Sequence, residues 1–202
     1  MKHWLPLTLL ALALAPSPLS ARYLPPALEN LLGASDLVAV GTISHVQEAA
    51  YFLDLEKVIV GSPSSSTIRI QRFEDWPCSQ RWLPYSEGER VWIMVQAVER
   101  EDFDYALRSA GSESEFPVLD HKVLVQGYAI PDLETMELAR SGSVPAIPLE
   151  VLEEVTLDLR RCWAGLGDSL PEPRCSADEI QNLLDKSPTH RRLLEGLPRG
   201  EL

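Results

Sequence analysis

The sequence predicts a mainly β protein, a five-stranded OB-like barrel followed by one or two packed C-terminal α-helices. Three observations carry this expectation. Short apolar segments with two-residue alternation recur between residues 34 and 130, separated by turn formers. The most apolar of them, "SDLVAVGTISHV" from Ser35 to Val46, is interrupted by Gly41. From residue 148 onward the alternation gives way to apolar residues at helical spacing.

The chain opens "MKHWLPLTLLALALAPSPLSA", in which a positive Lys2 precedes an apolar run from Leu5 to Ala15 and then small residues and prolines. This is the pattern of a secretory signal peptide over residues 1–21, cut after Ser20 or Ala21. The run is too short to span a bilayer, and no second long apolar segment follows, so no membrane insertion is expected. The expected location is the periplasm or the exterior. Residues 22–33 are a lead-in, in which "ALENLL" forms a short helical turn.

Residues 34–130 are read as the barrel. Leu37–Val46 is the first strand, and closing a small sheet on itself forces such a strand to coil. Glycine at the sharpest bend relieves side-chain crowding, so Gly41 is read as a barrel corner rather than a place of ligand approach. In "YFLDLEKVIVG", Tyr51, Leu53 and Leu55 alternate with acids before the phase shifts to Val58 and Val60, which predicts a bulge. "TIRIQRF" sets Ile68 and Ile70 on one face, and "RVWIMVQAV" does the same for Val91, Ile93 and Val95. The fifth segment, "FPVLDHKVLVQGYAI", reads as a hairpin turning at Asp120–His121.

Residues 131–147 are read as a linker and residues 148–202 as a helical extension. Leu149, Leu152, Val155, Leu159 and Trp163 share a helix face, with Pro148 at its start. "SADE" is a capping box from Ser176 to Glu179, opening a second helix with Ile180, Leu183 and Leu184 on its apolar side. "SPTHRRLL" adds one more turn.

The chain has 202 residues and a formal charge of −12, and losing Lys2 with the signal peptide makes it one unit more negative. That sign opposes phosphate backbones and anionic lipid surfaces, so no nucleic acid is expected as a partner. Three cysteines, Cys78, Cys162 and Cys175, permit at most one internal disulfide. Cys162 and Cys175 enclose a turn-rich loop whose closure is worth roughly 3 kcal/mol, and this pairing is favoured. A bridge from Cys78 would tie the barrel to the tail instead.

Catalytic signatures are missing. There is no paired-histidine zinc helix, Cys-x-x-Cys, phosphate-binding glycine loop or Gly-x-Ser-x-Gly elbow. His45, His121 and His190 are isolated from one another and read as structural or solvated. Glu99, Glu101, Asp102 and Asp104 lack the spacing of a calcium loop and read as a solvated inter-strand loop. No cofactor, metal or catalytic residue is therefore assigned. The densest segment is "FEDWPCSQRWLPYSEGERVW", with Phe73, Trp76, Trp82, Tyr85 and Trp92 around Arg81. Trp76, Arg81, Trp82 and Tyr85 are candidate binding residues, since Trp, Tyr and Arg dominate binding hot spots. The favoured alternative has these aromatics plugging one end of the barrel and packing under the C-terminal helix.

The order "SDLVAVGTISHV", "LDLEKVIVG", "IRI", a cysteine-bearing loop, "YSEGERVWIMV" and "EFPVLDHKVLV" resembles exported bacterial proteins with an OB-fold of the tissue-inhibitor-of-metalloproteinase and netrin-like type. The resemblance spans about residues 34–127 and its motifs are structural. It implies the fold and not the inhibitor's activity, because that family chelates the target's zinc through an N-terminal cysteine and no cysteine precedes Cys78. The function expected is a non-catalytic binding or assembly module, its partner an envelope or extracellular protein. The alternatives are a protease inhibitor without zinc chelation and a small envelope hydrolase.

Overall fold

The computed structural model describes residues 26–77, 79–125, 146–167 and 170–199. The signal-peptide region, most of the linker and Cys78 lie outside the described residues.

Helix α1 (Leu28–Ala34) leads into β1 (Leu37–Val46), followed by β2 (Ala50–Val60), β3 (Thr67–Gln71), β4 (Arg90–Arg100) and β5 (Phe103–Leu107). These five strands pair in the order β1-β2-β3-β5-β4, and β4 pairs again with β1, so the sheet closes. The β3–β5 contact is parallel and the other four are antiparallel. This is a closed mixed barrel of OB-like form.

The strand that closes it corrects the sequence reading. Phe103–Leu107 is β5, and it begins inside the acidic stretch read as a solvated loop. Asp104 faces out of the barrel, and its Oδ2 accepts from the Arg69 backbone N–H at 2.7 Å, supplying a ladder bond where β3 and β5 share only one paired position. The predicted hairpin is present as β6 (Glu115–Leu119) and β7 (Lys122–Leu124), but it extends the sheet outside the barrel. Asp120 and His121 both have positive φ, 48° and 60°, as a two-residue hairpin turn requires. A short β8 (Ala146–Pro148) pairs with β7.

Gly41 sits where β2 passes closest. A Cβ there would lie 2.5 Å from the Asp54 carbonyl oxygen and 2.8 Å from Leu53 Cγ. The pairing of β1 with β2 slips between Val40 and Gly41, so the bulge read from the phase shift and the glycine mark one feature.

Both faces of β1 and β4 are covered along Leu37–Val40 and Val91–Val95, which explains the apolar runs there. Leu37, Ala39, Ile43, Val91, Ile93 and Val95 point into the barrel. Val38, Val40, Trp92 and Met94 point outward, against the helices. The helical side is α2 (Leu149–Cys162), α3 (Ala177–Lys186) and α4 (Pro188–Leu194). Leu152, Val155 and Leu159 of α2 and Ile180, Leu183 and Leu184 of α3 are buried there, as their spacing predicts. The Ser176–Glu179 capping box forms. Arg160 donates to the carbonyls of Gly33 and Ser35 at 2.7 and 2.8 Å, satisfying the end of α1 from the side of α2. Cys162 and Cys175 form a disulfide with Cα atoms 4.8 Å apart.

Candidate functional site

The connection from β3 to β4, residues 72–89, has almost no regular structure, so side chains must satisfy its backbone. A small turn forms at Pro77, with Trp76 and Ser79 exchanging backbone bonds of 3.0 Å. Asp75 Oδ1 accepts from Arg81 N at 2.9 Å, and the Tyr85 hydroxyl accepts from Phe73 N at 3.0 Å. These contacts fold the segment across the end of the barrel and drop Trp82 into the interior beside Ile70, Val91 and Leu107.

Arg81 is the centre of the plug. Its Nη2 donates to Glu89 at 3.0 Å and to Glu115 at 2.7 Å, and its Nη1 donates to the Leu83 carbonyl at 2.6 Å. Glu89 also accepts from the Trp82 indole at 2.9 Å, and Glu115 from the Tyr85 hydroxyl at 3.2 Å. The guanidinium lies 3.8 Å from the Tyr85 ring centroid and 4.1 Å from that of Trp82. Tyr85 in turn stacks on Tyr51 at 4.9 Å.

One guanidinium thus faces two carboxylates, with only 3% of the Arg81 side chain and 1% of Glu115 exposed. Burial opposes the charge on Arg81, but Glu115 and then Glu89 outweigh it and hold the group protonated more firmly than usual. Burial raises Glu89 above the ordinary carboxylate value despite Arg81. Burial, and then the Glu115 charge, raise both Tyr51 and Tyr85, so these phenols stay neutral.

A cleft of about 590 Å³ opens over this plug, lined by Arg72, Phe73, Asp75, Trp82, Pro84 and Tyr85 among others. Arg72, the first residue after β3, donates to the Gln47 and Glu48 carbonyls at 2.8 and 3.0 Å, and its guanidinium lies 5.0 Å from the Tyr85 ring. The Nε–H groups of Arg72 and Arg81 are both buried without an acceptor among the described residues.

Arg81, Trp82 and Tyr85 are therefore brought together, as floor rather than as an exposed patch. Trp76 stands apart, its indole N–H on the Ala110 carbonyl at 3.0 Å. The barrel-plugging alternative describes Trp82, Tyr85 and Phe73. Its second half needs correction: of the five aromatics only Trp92 packs in the core under the helices, because it points to the other face of β4. Glu89, Glu115 and Tyr51 complete the site and were missed. Glu115 lies 34 residues from Arg81, and a glutamate opening a strand carries no mark of burial.

A second polar cluster sits among the helices. Lys186 bonds Asp158 at 2.6 Å and Glu154 at 2.8 Å, while His190 lies between Ser187 at 2.8 Å and Asp158 at 3.4 Å. Glu154, Asp158 and His190 are close enough for metal ligands, but the Lys186 ammonium already bridges the two carboxylates. His190 is 1% exposed, and Ser187 caps α4 by accepting its N–H. The cluster ties α2 to α3 and α4.

Comparison with protein families, curated proteins and solved structures finds no match to this chain. The class the geometry defines is an OB-like barrel with one end closed by an ionic and aromatic plug.

Proposed function

We propose that this chain is a non-catalytic binding module of the periplasm or the exterior, whose ligand enters the cleft at the plugged end of the barrel. The observation that carries the reading is the concave cleft of about 590 Å³ over the plug, where Arg72, Phe73, Arg81, Trp82 and Tyr85 converge. OB-like barrels use the loop joining their first two strands in binding, and Glu48 of that loop lines the cleft. The disulfide fits an oxidising compartment, and no helix among the described residues is long and apolar enough to cross a membrane. A protein partner in the envelope or outside the cell would reach a cleft of this size with a single projecting group. The inhibitor and hydrolase alternatives have no comparable geometric support among the described residues.

Crosslinking in a native envelope extract tests this with three forms of the chain. The wild type and Leu157→Arg, a change on exposed α2 surface, should capture the same component. A form carrying Glu74→Arg and Pro84→Arg at the cleft should lose it. Equal capture by all three forms overturns the assignment of the cleft.

A further inference from the structure

We propose that residues 80–88 form a proton-sensitive gate, which shuts the barrel mouth while the Arg81 cluster holds an extra proton and opens as a unit when that proton leaves. The barrel and the helices stay folded in both forms. Trp82 and Tyr85 are the floor of the cleft, so opening dismantles it whatever the cleft takes.

The first ground is how the segment is held. Backbone bonds fasten it to the barrel at one end, where Gly88 N and the Glu89 carbonyl each bond Ile43 of β1 at 2.8 Å. From Gln80 to Tyr85 the bonds to other elements, among the described residues, run through side chains. Ser112 donates to the Gln80 carbonyl at 2.8 Å, while Arg81 and Tyr85 converge on Glu115 of β6 at 2.7 and 3.2 Å. Gly88, at φ 85°, has open space where a Cβ would stand and is the hinge. A segment without ladder bonds opens apart from the strands once its side-chain holds weaken.

The second ground is charge. One guanidinium faces two carboxylates, with side-chain exposures of 3% for Arg81, 12% for Glu89 and 1% for Glu115. This leaves one unmatched negative charge out of water, and a single proton removes it. Glu89 is the group that takes it, since burial raises its hold on a proton despite Arg81. Around Glu89 stand Arg81 and Trp82 of the segment, Glu115 of β6, and Tyr51 of β2, whose phenol stays neutral. Asp75 accepts from the Arg81 backbone at 2.9 Å. At the rim, His45 of β1 pairs with Glu87 at 2.9 Å, both more than half exposed and screened by solvent. The closed form binds the proton more tightly than the open one, where Glu89 meets water. Acid therefore favours closure, and the gate loosens as pH rises through the raised Glu89 value.

Hydrogen exchange read by NMR on the purified chain tests the gate. The Trp82 and Trp163 indoles are equally buried, at 2% exposure, and each N–H is bonded, to Glu89 and to the Pro198 carbonyl. At about pH 8 the Trp82 indole should open at least about tenfold more often than the Trp163 indole and the amides of β1 and β4, after correction for intrinsic rates. At about pH 4.5, close to the unfolded glutamate value, that excess should fall about tenfold. Glu89→Gln should hold the excess at its acid level throughout, whereas His45→Gln should leave the pH dependence in place.

Equal protection of Trp82, Trp163 and the strands at both pH values overturns the proposal, since the plug then opens only with the whole fold. An excess that does not change with pH overturns it too, because no proton then controls the opening. Neither outcome needs a variant to fold. A pH dependence that persists in Glu89→Gln also overturns it, by moving the proton off the Arg81 cluster.

Discussion

The two faces of one sheet are sealed by opposite means. On the outer face of β1 and β4, helices supply Leu152, Val155, Leu159, Ile180 and Leu183, and the charged cluster around Lys186 keeps its ammonium part-exposed although Asp158 and His190 are buried. At the barrel mouth, an ion network of Arg81, Glu89 and Glu115 is taken inside with Trp82 and Tyr85. The difference follows from the backbone. A helix satisfies its own N–H and C=O groups, so apolar contact is enough to dock it. The irregular segment 72–89 has no such internal partners, and directional side-chain bonds must set its course.

The contrast is sharpest for the cations. Arg81→Met would leave Glu89 and Glu115 buried without their partner, at a cost of about 3–5 kcal/mol. Lys186→Met removes an equally short pair of contacts, but the Lys186 side chain is 38% exposed. Its loss should cost under about 1 kcal/mol, reduced further by salt. Urea unfolding of both variants at low and high ionic strength measures the gap, and similar costs would erase the distinction drawn between the two clusters.

The helical side has a covalent restraint that the plug lacks among the described residues. Replacing Cys162 and Cys175 together by alanine should lower stability by about 3 kcal/mol, since the bridge closes a short loop in the unfolded chain. The Arg72 and Arg81 resonances should stay in place, because the disulfide lies in the outer core and the plug in the inner one. A shift at the plug would mean that the two cores are coupled through β4.

Between the cores stands Gly41. An added Cβ meets the Asp54 carbonyl at 2.5 Å, and backbone cannot move aside cheaply. Gly41→Ala should cost about 1–3 kcal/mol through overpacking, read as a lowered urea midpoint with an unchanged slope.

What the sequence made legible divides along the same line. Period and capping carry α2, α3 and the inward faces of β3 and β4, because burial repeats there at a fixed interval. The phase shift in β2 and the glycine in β1 carry the bulge. Strand β5 was hidden because Asp104 points outward to serve the Arg69 backbone, so its acids mimic a loop. The plug was half legible: the density of aromatics marked Trp82 and Tyr85, but no local pattern tells that Arg81 is buried. That depends on Glu115, which chain folding brings in from a strand outside the barrel. Local signals reveal elements, whereas a charge network between elements has no period to read.

Acidity separates the two clusters by the direction of its effect. Glu89 binds its proton more firmly in the folded chain, chiefly through burial, so folding favours the protonated form. Its contribution is present below the unfolded glutamate value of about 4.3 and is lost as pH rises through the raised folded value. Asp158 is shifted the other way. Burial works against the charge, but bonds from Lys186 and then Arg161 lower its affinity for a proton. Its contribution is present above the unfolded aspartate value of about 3.9 and is lost as pH falls through the lowered folded value. Urea midpoints across this range should show Glu89→Gln gaining on the wild type as pH rises, whatever its constant offset. Asp158→Asn should be weaker than the wild type at neutral pH, with the deficit closing in acid. Parallel drifts of the two variants would show that folding shifts the proton affinity of both carboxylates in the same direction, and the contrast between the two ion networks would fall.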